Sequence, residues 1–340
     1  MYKLKTKSGK EIEFPVFFPV YQPESNLISM QDMKNNYPAK GLIVNGFFLY
    51  KKEETKKKLL SGTNLHDFID FQGIIMTDSG AFQGLKRPLY LSNKDIVLFQ
   101  DAIGADIISP LDLISPPGDK FQVAKKKLNS TIKRIKKAKD LTQHAILAGV
   151  QQGGRFVELR KQSMEALMEI GVEYIAIGSL VPFFNKNHDL SLVIKILKDA
   201  RSIAGDKLPI HVYGAGDPVE LPFLFQLGAN IFDSSSYGHY AAGGWYMTPY
   251  GSLTIDQKEA FEEYSCNCAV CKKAKNKISV FKDTATLAAH NLHIIFETIN
   301  EIRKHTQENS MEKYLEKILE RHSRWFTESD LKKSWQEHYE

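Results

Sequence analysis

One apolar run of the chain ends in a carboxylate that a packed core would not need. The stretch GIIMTDSGAFQ, residues 73–83, begins like a short strand buried on both faces and stops at Asp78. The small residues that follow, Ser79 and Gly80, leave room for a ligand to approach the backbone. Because carboxylates can move protons or act as nucleophiles, the sequence predicts that this strand delivers Asp78 to a site.

The same pattern recurs in six apolar runs, each of which is followed by a polar residue or a glycine. These residues are Asp78, Asp112, Gln152, Ser179, Gly214 and Asp233. Taken singly, an Asp or Ser after a strand could be the N-cap of the next helix. Six such residues after six different runs favour a shared site over six unrelated caps.

The runs alternate with longer amphipathic stretches, an order that predicts parallel strands joined by helical crossovers. The runs are GIIMTD, ADIISPLD, AILAGVQQGG, YIAIGSL, PIHVYGAG and ANIFDSSS, and the predicted helices cover 94–103, 123–139, 157–170, 190–203, 218–227 and 284–303. A doubly wound sheet and a (β/α)8 barrel both fit this order. No GxGxxG opens the first unit, and a barrel brings all strand carboxyl ends to one rim, so we expect the TIM barrel.

Composition limits the class of protein. The chain has 340 residues, of which 43% are hydrophobic and 25% are charged, as in globular proteins. No apolar run approaches the roughly 20 residues that span a bilayer, and the N-terminal stretch has no apolar signal region. The three cysteines lie within six residues, which excludes a disulfide framework. We therefore expect a cytoplasmic protein with no membrane partner.

The cysteines form a C-x-C-x2-C motif that is typical of a metal site. Cys266, Cys268 and Cys271 could bind one structural zinc ion per chain, with His290 as the fourth ligand and His293 as its competitor. Three reduced thiols beside a surface histidine are the alternative. We predict a catalytic barrel over 1–251, a zinc-binding insertion with the final barrel helix over 252–303, and a basic helical extension over 304–340.

Residues 120–139 carry nine lysines and arginines and no acidic residue. A block of one sign could face a polyanion, or it could be the solvated face of a helix. The aromatic C-terminal segment with Trp325 and Trp335 joins it as a predicted contact for nucleic acid.

Several motifs together resemble the tRNA-guanine transglycosylase family, most closely its archaeal branch. They are NLHDFIDFQGIIMTDSGAFQ, GVQQGGRFVELR, YIAIGSLVP, VYGAGDP, FDSSSYGHYA, WYMTPYG, CNCAVC and AHNLH, and they cover about residues 1–300. The resemblance implies a (β/α)8 barrel with a zinc subdomain. It also implies that Asp233 is the nucleophile and that Asp78 is the general acid and base.

The resemblance also assigns a pocket for the base. Phe82 would stack on the base and Asp112 would read its Watson–Crick edge. The other residues that would line the pocket are Gln152, Gly153, Ser179, Leu180, Ser79 and Gly214. Ser179 stands where the family more often has glycine, so the shape of this pocket is expected to differ in detail.

The implied reaction replaces guanine in a nucleic acid with a 7-deazaguanine base, 7-cyano-7-deazaguanine in the archaeal branch, through a covalent aspartyl-ribosyl intermediate. The preferred polymer is tRNA, and DNA is the alternative. A non-catalytic partner subunit of the same fold is a further alternative, although it should lack the nucleophile. The resemblance implies a homodimer. Because archaeal members carry additional C-terminal domains, it also implies an RNA-binding part on a separate subunit.

Overall fold

The fold is built around a closed barrel of eight parallel strands. The structure is a computed structural model that describes residues 3–85, 88–184 and 187–339. The strands are β1 (Lys3–Lys5), β2 (Glu11–Glu13), β3 (Val16–Tyr21), β4 (Gly41–Asn45), β5 (Ile74–Asp78), β6 (Ile107–Ile108), β7 (Ile146–Gln151), β8 (Tyr174–Ile177), β9 (Ile210–Val212), β10 (Ile231–Ser234), β11 (Tyr246–Thr248) and β12 (Gly251–Leu253). Strands β3 to β10 pair in chain order, and β10 pairs with β3 to close the barrel.

Helices surround the barrel and continue beyond it. The α-helices are α1 (Met30–Asn36), α2 (Gly46–Lys51), α3 (Glu53–Leu60), α4 (Leu65–Ile69), α5 (Asn93–Ala102), α6 (Phe121–Leu141), α7 (Val157–Ile170), α8 (Ser191–Ala204), α9 (Leu221–Gln226), α10 (Ser236–Ala242), α11 (Lys258–Glu263), α12 (Ala269–Lys273), α13 (Thr284–Gln307), α14 (Met311–Trp325) and α15 (Leu331–His338). Short 3-10 helices cover Ala81–Leu85, Val181–Phe183 and Lys277–Lys282. None of the described helices is long and apolar enough to cross a membrane.

The continuous apolarity of the strands follows from burial on both faces. In β5, Ile74 and Met76 join the cluster that fills the barrel, whereas Ile75 packs outward in the cluster shared with the helices. Both clusters need apolar side chains, so no polar alternation develops along the strand. The predicted TIM barrel is confirmed, and the doubly wound alternative is excluded.

The strands before residue 73 were not predicted. Strand β3 comes from VFFPVY and β4 from GLIVN, and neither was among the six runs. Helix α7 has the predicted bounds, whereas α9 begins at Leu221, three residues later than expected. Strand β6 has only two residues, so Asp112 lies in the loop beyond it.

The hairpin β1–β2 covers the amino end of the barrel. Leu4 and Ile12 are buried in the cluster that fills the barrel interior. Beside them lies Asp106, just before β6, whose Oδ2 atom is 3.0 Å from Lys10 Nζ and 3.1 Å from His66 Nε2. This end of the barrel is therefore closed by the hairpin and an ion-pair cluster.

A second hairpin, β11–β12, precedes the cysteines. The predicted boundary between 251 and 252 falls inside β12, after its first residue. The hairpin belongs with the cysteine segment in space, because the Tyr246 hydroxyl is 3.2 Å from Cys271 Sγ. Helix α13 then packs against α10, β3 and β11.

The prediction of a basic C-terminal extension is wrong. Residues 304–340 carry seven lysines and arginines and eight aspartates and glutamates. Trp335 is buried and meets the Phe223 ring edge-on, with ring centroids 4.8 Å apart. Its side chain therefore packs α15 onto the barrel instead of facing a nucleic acid.

The basic stretch at 120–139 forms most of α6. Ala124, Leu128 and Ile135 are buried on one face of this helix. Lys127 and Arg134 donate hydrogen bonds to the loop that follows β6, and Lys139 donates to a carbonyl oxygen at the end of α7. These three cations bind the protein itself. Lys139 is nevertheless exposed, as are Lys125, Lys126, Lys133, Lys136 and Lys137 on the same helix.

Candidate active site and metal-binding cluster

Asp233 lies in β10 with one carboxylate oxygen supported by the protein. Its Oδ1 atom accepts a hydrogen bond of 3.2 Å from the backbone N–H of Gly214 and lies 2.8 Å from His211 Nε2. Despite this short distance, His211 Nε2 makes no regular hydrogen bond with the described residues. The Tyr174 hydroxyl lies 2.8 Å from the other ring nitrogen, Nδ1. This support fixes the carboxylate and, within the described part of the chain, leaves Oδ2 without a hydrogen-bond donor.

Asp78 is the last residue of β5, where the sequence places it. Its Oδ1 atom accepts from the backbone N–H of Gly80 at 2.7 Å, and its Oδ2 atom accepts from Asn45 Nδ2 at 3.1 Å. Burial, together with the charges of Asp233 and Asp112, raises the pKa of Asp78 to about 7 despite these donors. A carboxyl group that titrates near neutral pH can both give and take a proton.

Asp112, Gln152 and Ser179 form one hydrogen-bonded chain. Gln152 Nε2 donates to Asp112 Oδ2 at 2.5 Å, and the Ser179 hydroxyl donates to Gln152 Oε1 at 2.7 Å. Burial raises the pKa of Asp112 to about 6, although the bond from Gln152 and the charge of Arg134 oppose the shift. The structure thus brings together three residues that come from three different strand ends.

Arg160 supports the backbone that carries these three hydrogen-bonded side chains. The Arg160 guanidinium is fully buried and donates to the carbonyl oxygens of Gly154 at 2.9 Å and Gly178 at 2.7 Å. A Cβ at Gly153 would lie 2.8 Å from the Arg160 backbone nitrogen, so the loop after β7 needs glycine there. The Leu180 side chain is fully buried in the core, which leaves only its backbone to contact a base.

The remaining predicted residues lie on the turn after β5. Ser79 is buried. Phe82 is 58% exposed on the 3-10 helix that follows, so its ring is free to stack on a ligand. A Cβ at Gly80 would come within 2.3 Å of Phe47 Cβ, and this close packing, not access for a ligand, requires the glycine.

Sequence reasoning missed four residues of the site. The Tyr213 hydroxyl, beside Gly214, is hydrogen-bonded to the Ser109 hydroxyl at 2.7 Å. The charges of Asp233, Asp112 and Asp78 all raise the pKa of Tyr213. The others are Asn45, His211 and Arg160. Tyr213 and His211 stand in the run PIHVYGAG, where an aromatic ring and a histidine inside an apolar strand were the available signal. For Asn45 and Arg160 the contacts are long-range and carried no such signal.

Cys266, Cys268, Cys271 and His290 form a compact group. The His290 Nδ1 atom lies 3.7, 3.6 and 3.4 Å from the three sulfur atoms, in that order. A tetrahedral metal with bonds of about 2.0–2.3 Å places its ligand atoms about 3.6 Å apart. The four residues therefore fit a metal ion and could bind one.

His290 is the fourth member of the group, and His293 is not. The Nε2 atom of His290 lies 2.9 Å from the carbonyl oxygen of Met247 and can donate to it, so Nδ1 is the ring nitrogen that faces the sulfurs. The Tyr246 ring stacks on the imidazole with centroids 3.7 Å apart. The His293 side chain is instead 39% exposed, 3.9 Å from Glu297.

Fold and site together define a barrel protein that carries its polar and acidic groups at the carboxyl rim, where such barrels place their active sites. The sequence profile of the family described as Queuine tRNA-ribosyltransferase matches residues 1–324, so the chain belongs to this family.

Curated relatives carry the name tRNA-guanine(15) transglycosylase. The relative from Methanosarcina mazei is 33% identical over 330 residues, which cover 94% of this chain and 65% of the relative. The relative from Pyrococcus furiosus is 30% identical over 324 residues, covering 94% of this chain and 54% of the relative. The relative from Methanocaldococcus jannaschii is 29% identical over 326 residues, covering 93% and 49%. The chain thus spans about half to two thirds of the length of these relatives.

Proposed function

We propose that the chain is a pentosyltransferase that replaces guanine in tRNA with a 7-deazaguanine base. The observation that carries this proposal is the pair of carboxylates from separate strand ends. Asp233 has one oxygen that accepts from the Gly214 backbone N–H and a second oxygen that has no donor among the described residues, and Asp78 titrates near neutral pH. A base exchange needs both a fixed nucleophile and a reversible proton carrier.

In the first half of the reaction Asp233 Oδ2 attacks ribose C1′. The bond from C1′ to guanine N9 breaks, and its electron pair leaves with the base. Protonated Asp78 gives its proton to the departing guanine, which leaves neutral. Ribose stays linked to Asp233 through C1′, so water does not hydrolyse the sugar at that carbon.

The second half runs in the opposite direction with a different base. Asp78, now ionised, takes a proton from the incoming 7-deazaguanine. The ring nitrogen attacks C1′, and Asp233 leaves as a carboxylate. A pKa of about 7 suits both steps, because Asp78 must be protonated in one and ionised in the other.

The base pocket is proposed to read the edge of guanine. Guanine presents a ring N–H beside an amino group, and an ionised carboxylate such as Asp112 accepts from both. Phe82 and Tyr213 supply aromatic rings that could stack on its faces. A base in folded RNA must first leave its stack to reach a pocket at the end of a barrel.

The relatives' shared name supports tRNA as the polymer and guanine 15 as the target. Exposed cations on α6 supply sites for phosphates. The resemblance further supports 7-cyano-7-deazaguanine as the incoming base, a homodimer, and RNA-binding contributions from outside residues 1–340.

A labelled-guanine exchange assay tests the proposal. Purified protein is incubated with tRNA and with duplex DNA side by side, and Asp233→Asn serves as the control. Label should enter tRNA only, in a reaction that weakens with salt. Label in DNA alone would mean that DNA, not tRNA, is the substrate, and the proposed chemistry would be unaffected. Exchange by Asp233→Asn would reject the mechanism.

We also propose that the Cys3His group holds one structural zinc ion. The thiolates and the neutral Nδ1 atom suit zinc, which would tie the hairpin β11–β12 to α13. His290→Ala should lose the metal and unfold at lower temperature. His293→Ala, in the same helix, is the matched control and should keep it. Metal analysis that finds no zinc in the reduced wild-type protein would reject this site.

A further inference from the structure

We infer that the Ser179 hydroxyl determines base specificity by locking the Gln152 amide, and through it Asp112, in one orientation. This inference rests on the proposed function, because it takes the pocket to be the one that binds guanine. It adds a role for the Ser179 side chain, which acts as a positioning group and not as a reacting group.

Ser179 occupies a backbone conformation that is unfavourable for a serine. Its φ angle is +59°, in the left-handed region that glycine enters freely and that a Cβ atom disfavours. A strained residue persists only where its surroundings favour it, and such residues concentrate at functional sites. The strain is therefore a reason to ask what the side chain does.

The Ser179 hydroxyl does not cap a helix or close a local turn. Its bond of 2.7 Å goes to Gln152 Oε1, 27 residues earlier, at the end of another strand. The neighbouring Gly178 makes this arrangement possible, because a Cβ there would lie 2.6 Å from Gln152 Nε2. Gly178 leaves room for the Gln152 amide, and Ser179 donates the hydrogen bond that holds it.

Charge decides the direction of the hydrogen-bonded chain. An ionised Asp112 can only accept, so Gln152 must turn its Nε2 group towards it, and the bond is 2.5 Å long. Gln152 Oε1 then faces Ser179, which must donate. Without the hydroxyl, the oxygen Oε1 of the buried Gln152 loses its donor, and the amide is held from one side only.

A loosely held amide affects some bases more than others. Guanine presents two adjacent donors, a ring N–H and an amino group, that must meet a carboxylate of fixed orientation. Hypoxanthine lacks the amino group and depends less on that orientation. Loss of the Ser179 hydroxyl should therefore weaken guanine more than hypoxanthine, and selectivity should fall.

Two substitutions separate the hydroxyl from the backbone strain. Ser179→Gly removes both, whereas Ser179→Ala removes the hydroxyl and keeps the Cβ. Asn309→Gly is the matched control, because Asn309 also has a positive φ, +52°, but is exposed near the end of α13. Binding of free guanine and of free hypoxanthine is measured by calorimetry, together with thermal unfolding and the KM of each base in exchange.

Both Ser179 variants should bind guanine about fivefold more weakly and hypoxanthine nearly as wild type does. Ser179→Gly should unfold no earlier than wild type, so a loss of folding cannot explain the weaker binding. Asn309→Gly should bind both bases normally. Wild-type guanine affinity in Ser179→Gly, or an equal loss for both bases, would overturn the inference.

The outcomes also separate this inference from the proposed function. Suppose that the wild-type protein binds guanine selectively and both variants lose that selectivity, but the wild-type protein exchanges no base into tRNA. The proposed reaction is then rejected and the role of Ser179 is kept. If wild type binds no guanine at all, both fail.

Discussion

The two ends of the barrel each bury carboxylates but treat them in opposite ways. At the amino end, burial raises the pKa of Asp106, yet bonds from His66, the Ile75 backbone, Ser8 and Lys10 outweigh it and lower the pKa to about 2. At the carboxyl end, burial raises the pKa of Asp78 to about 7. The difference lies in the number and charge of the donors around each group.

The donors around each carboxylate determine whether it keeps a fixed charge or can exchange a proton. Asp106 accepts hydrogen bonds from the Ser8 hydroxyl group and from the Lys10 ammonium group, so its charge has a cationic partner. Among the described residues, Asp78 accepts hydrogen bonds only from the Asn45 amide group and the Gly80 backbone N–H, and two other carboxylates raise its pKa further. The molecule keeps a proton available at one end of the barrel and holds a permanent charge at the other.

The largest expected effect belongs to the carboxyl end. Asp78→Asn should fold and bind tRNA, yet base exchange should fall at least about a hundredfold, since an amide cannot carry the proton. Single-turnover exchange assays on the purified variant measure this. Exchange within a few fold of wild type would mean that Asp78 does not carry the proton.

The amino end should show the converse behaviour. Asp106→Asn leaves Lys10 and His66 without their carboxylate, and the free energy of unfolding should fall by about 3 kcal/mol. The turnover number should stay unchanged at temperatures where the variant is folded. Denaturant unfolding measures the loss, with Asp140→Asn, an exposed change in α6, as the control. Unchanged stability would mean that the amino-end cluster contributes nothing.

A smaller effect sharpens the comparison through pH. An Asp106 pKa of about 2 lies below the unfolded value near 4, so its stabilisation is present above pH 4 and is lost as pH falls from 4 to 2. An Asp78 pKa of about 7 lies above the unfolded value, so its ionisation costs stability as pH rises from 4 to 7.

It follows that Asp78→Asn should be more stable than wild type at pH 8, with the gap closing near pH 4. The Asp106→Asn deficit should instead shrink only below pH 4. Unfolding curves of both variants across pH 3–8 measure these trends. Parallel curves for the two variants would mean that the two carboxylates do not differ as described.

The sequence predicted the carboxyl rim better than it predicted the rest of the barrel. Asp78 and Asp233 follow apolar runs, and a parallel strand places the residue at its end on the rim whatever the surrounding contacts are. Strands β3 and β4 were missed, although both are as apolar as β5. Proline interrupts the first, and the second runs directly into α2.

Contacts between distant residues were beyond sequence reasoning. Nothing local indicates that Lys10 will meet Asp106, 96 residues later, or that Arg160 will bind the carbonyl oxygen of Gly178. The positive φ of Ser179 was equally hidden, because serine does not report such a conformation as glycine would. The C-terminal segment was wrongly predicted to contact nucleic acid, because aromatic residues that pack a core look the same in sequence as those that bind a base.

Trapping the covalent complex would show whether Asp233 attacks ribose. Wild-type protein incubated with tRNA and without an incoming base should give a slower band that survives denaturing electrophoresis. Asp106→Asn, assayed while folded, should give the same band, and Asp233→Asn should give none. A covalent band of normal intensity from Asp233→Asn, or none from the wild-type protein under conditions where it exchanges guanine, would contradict this account.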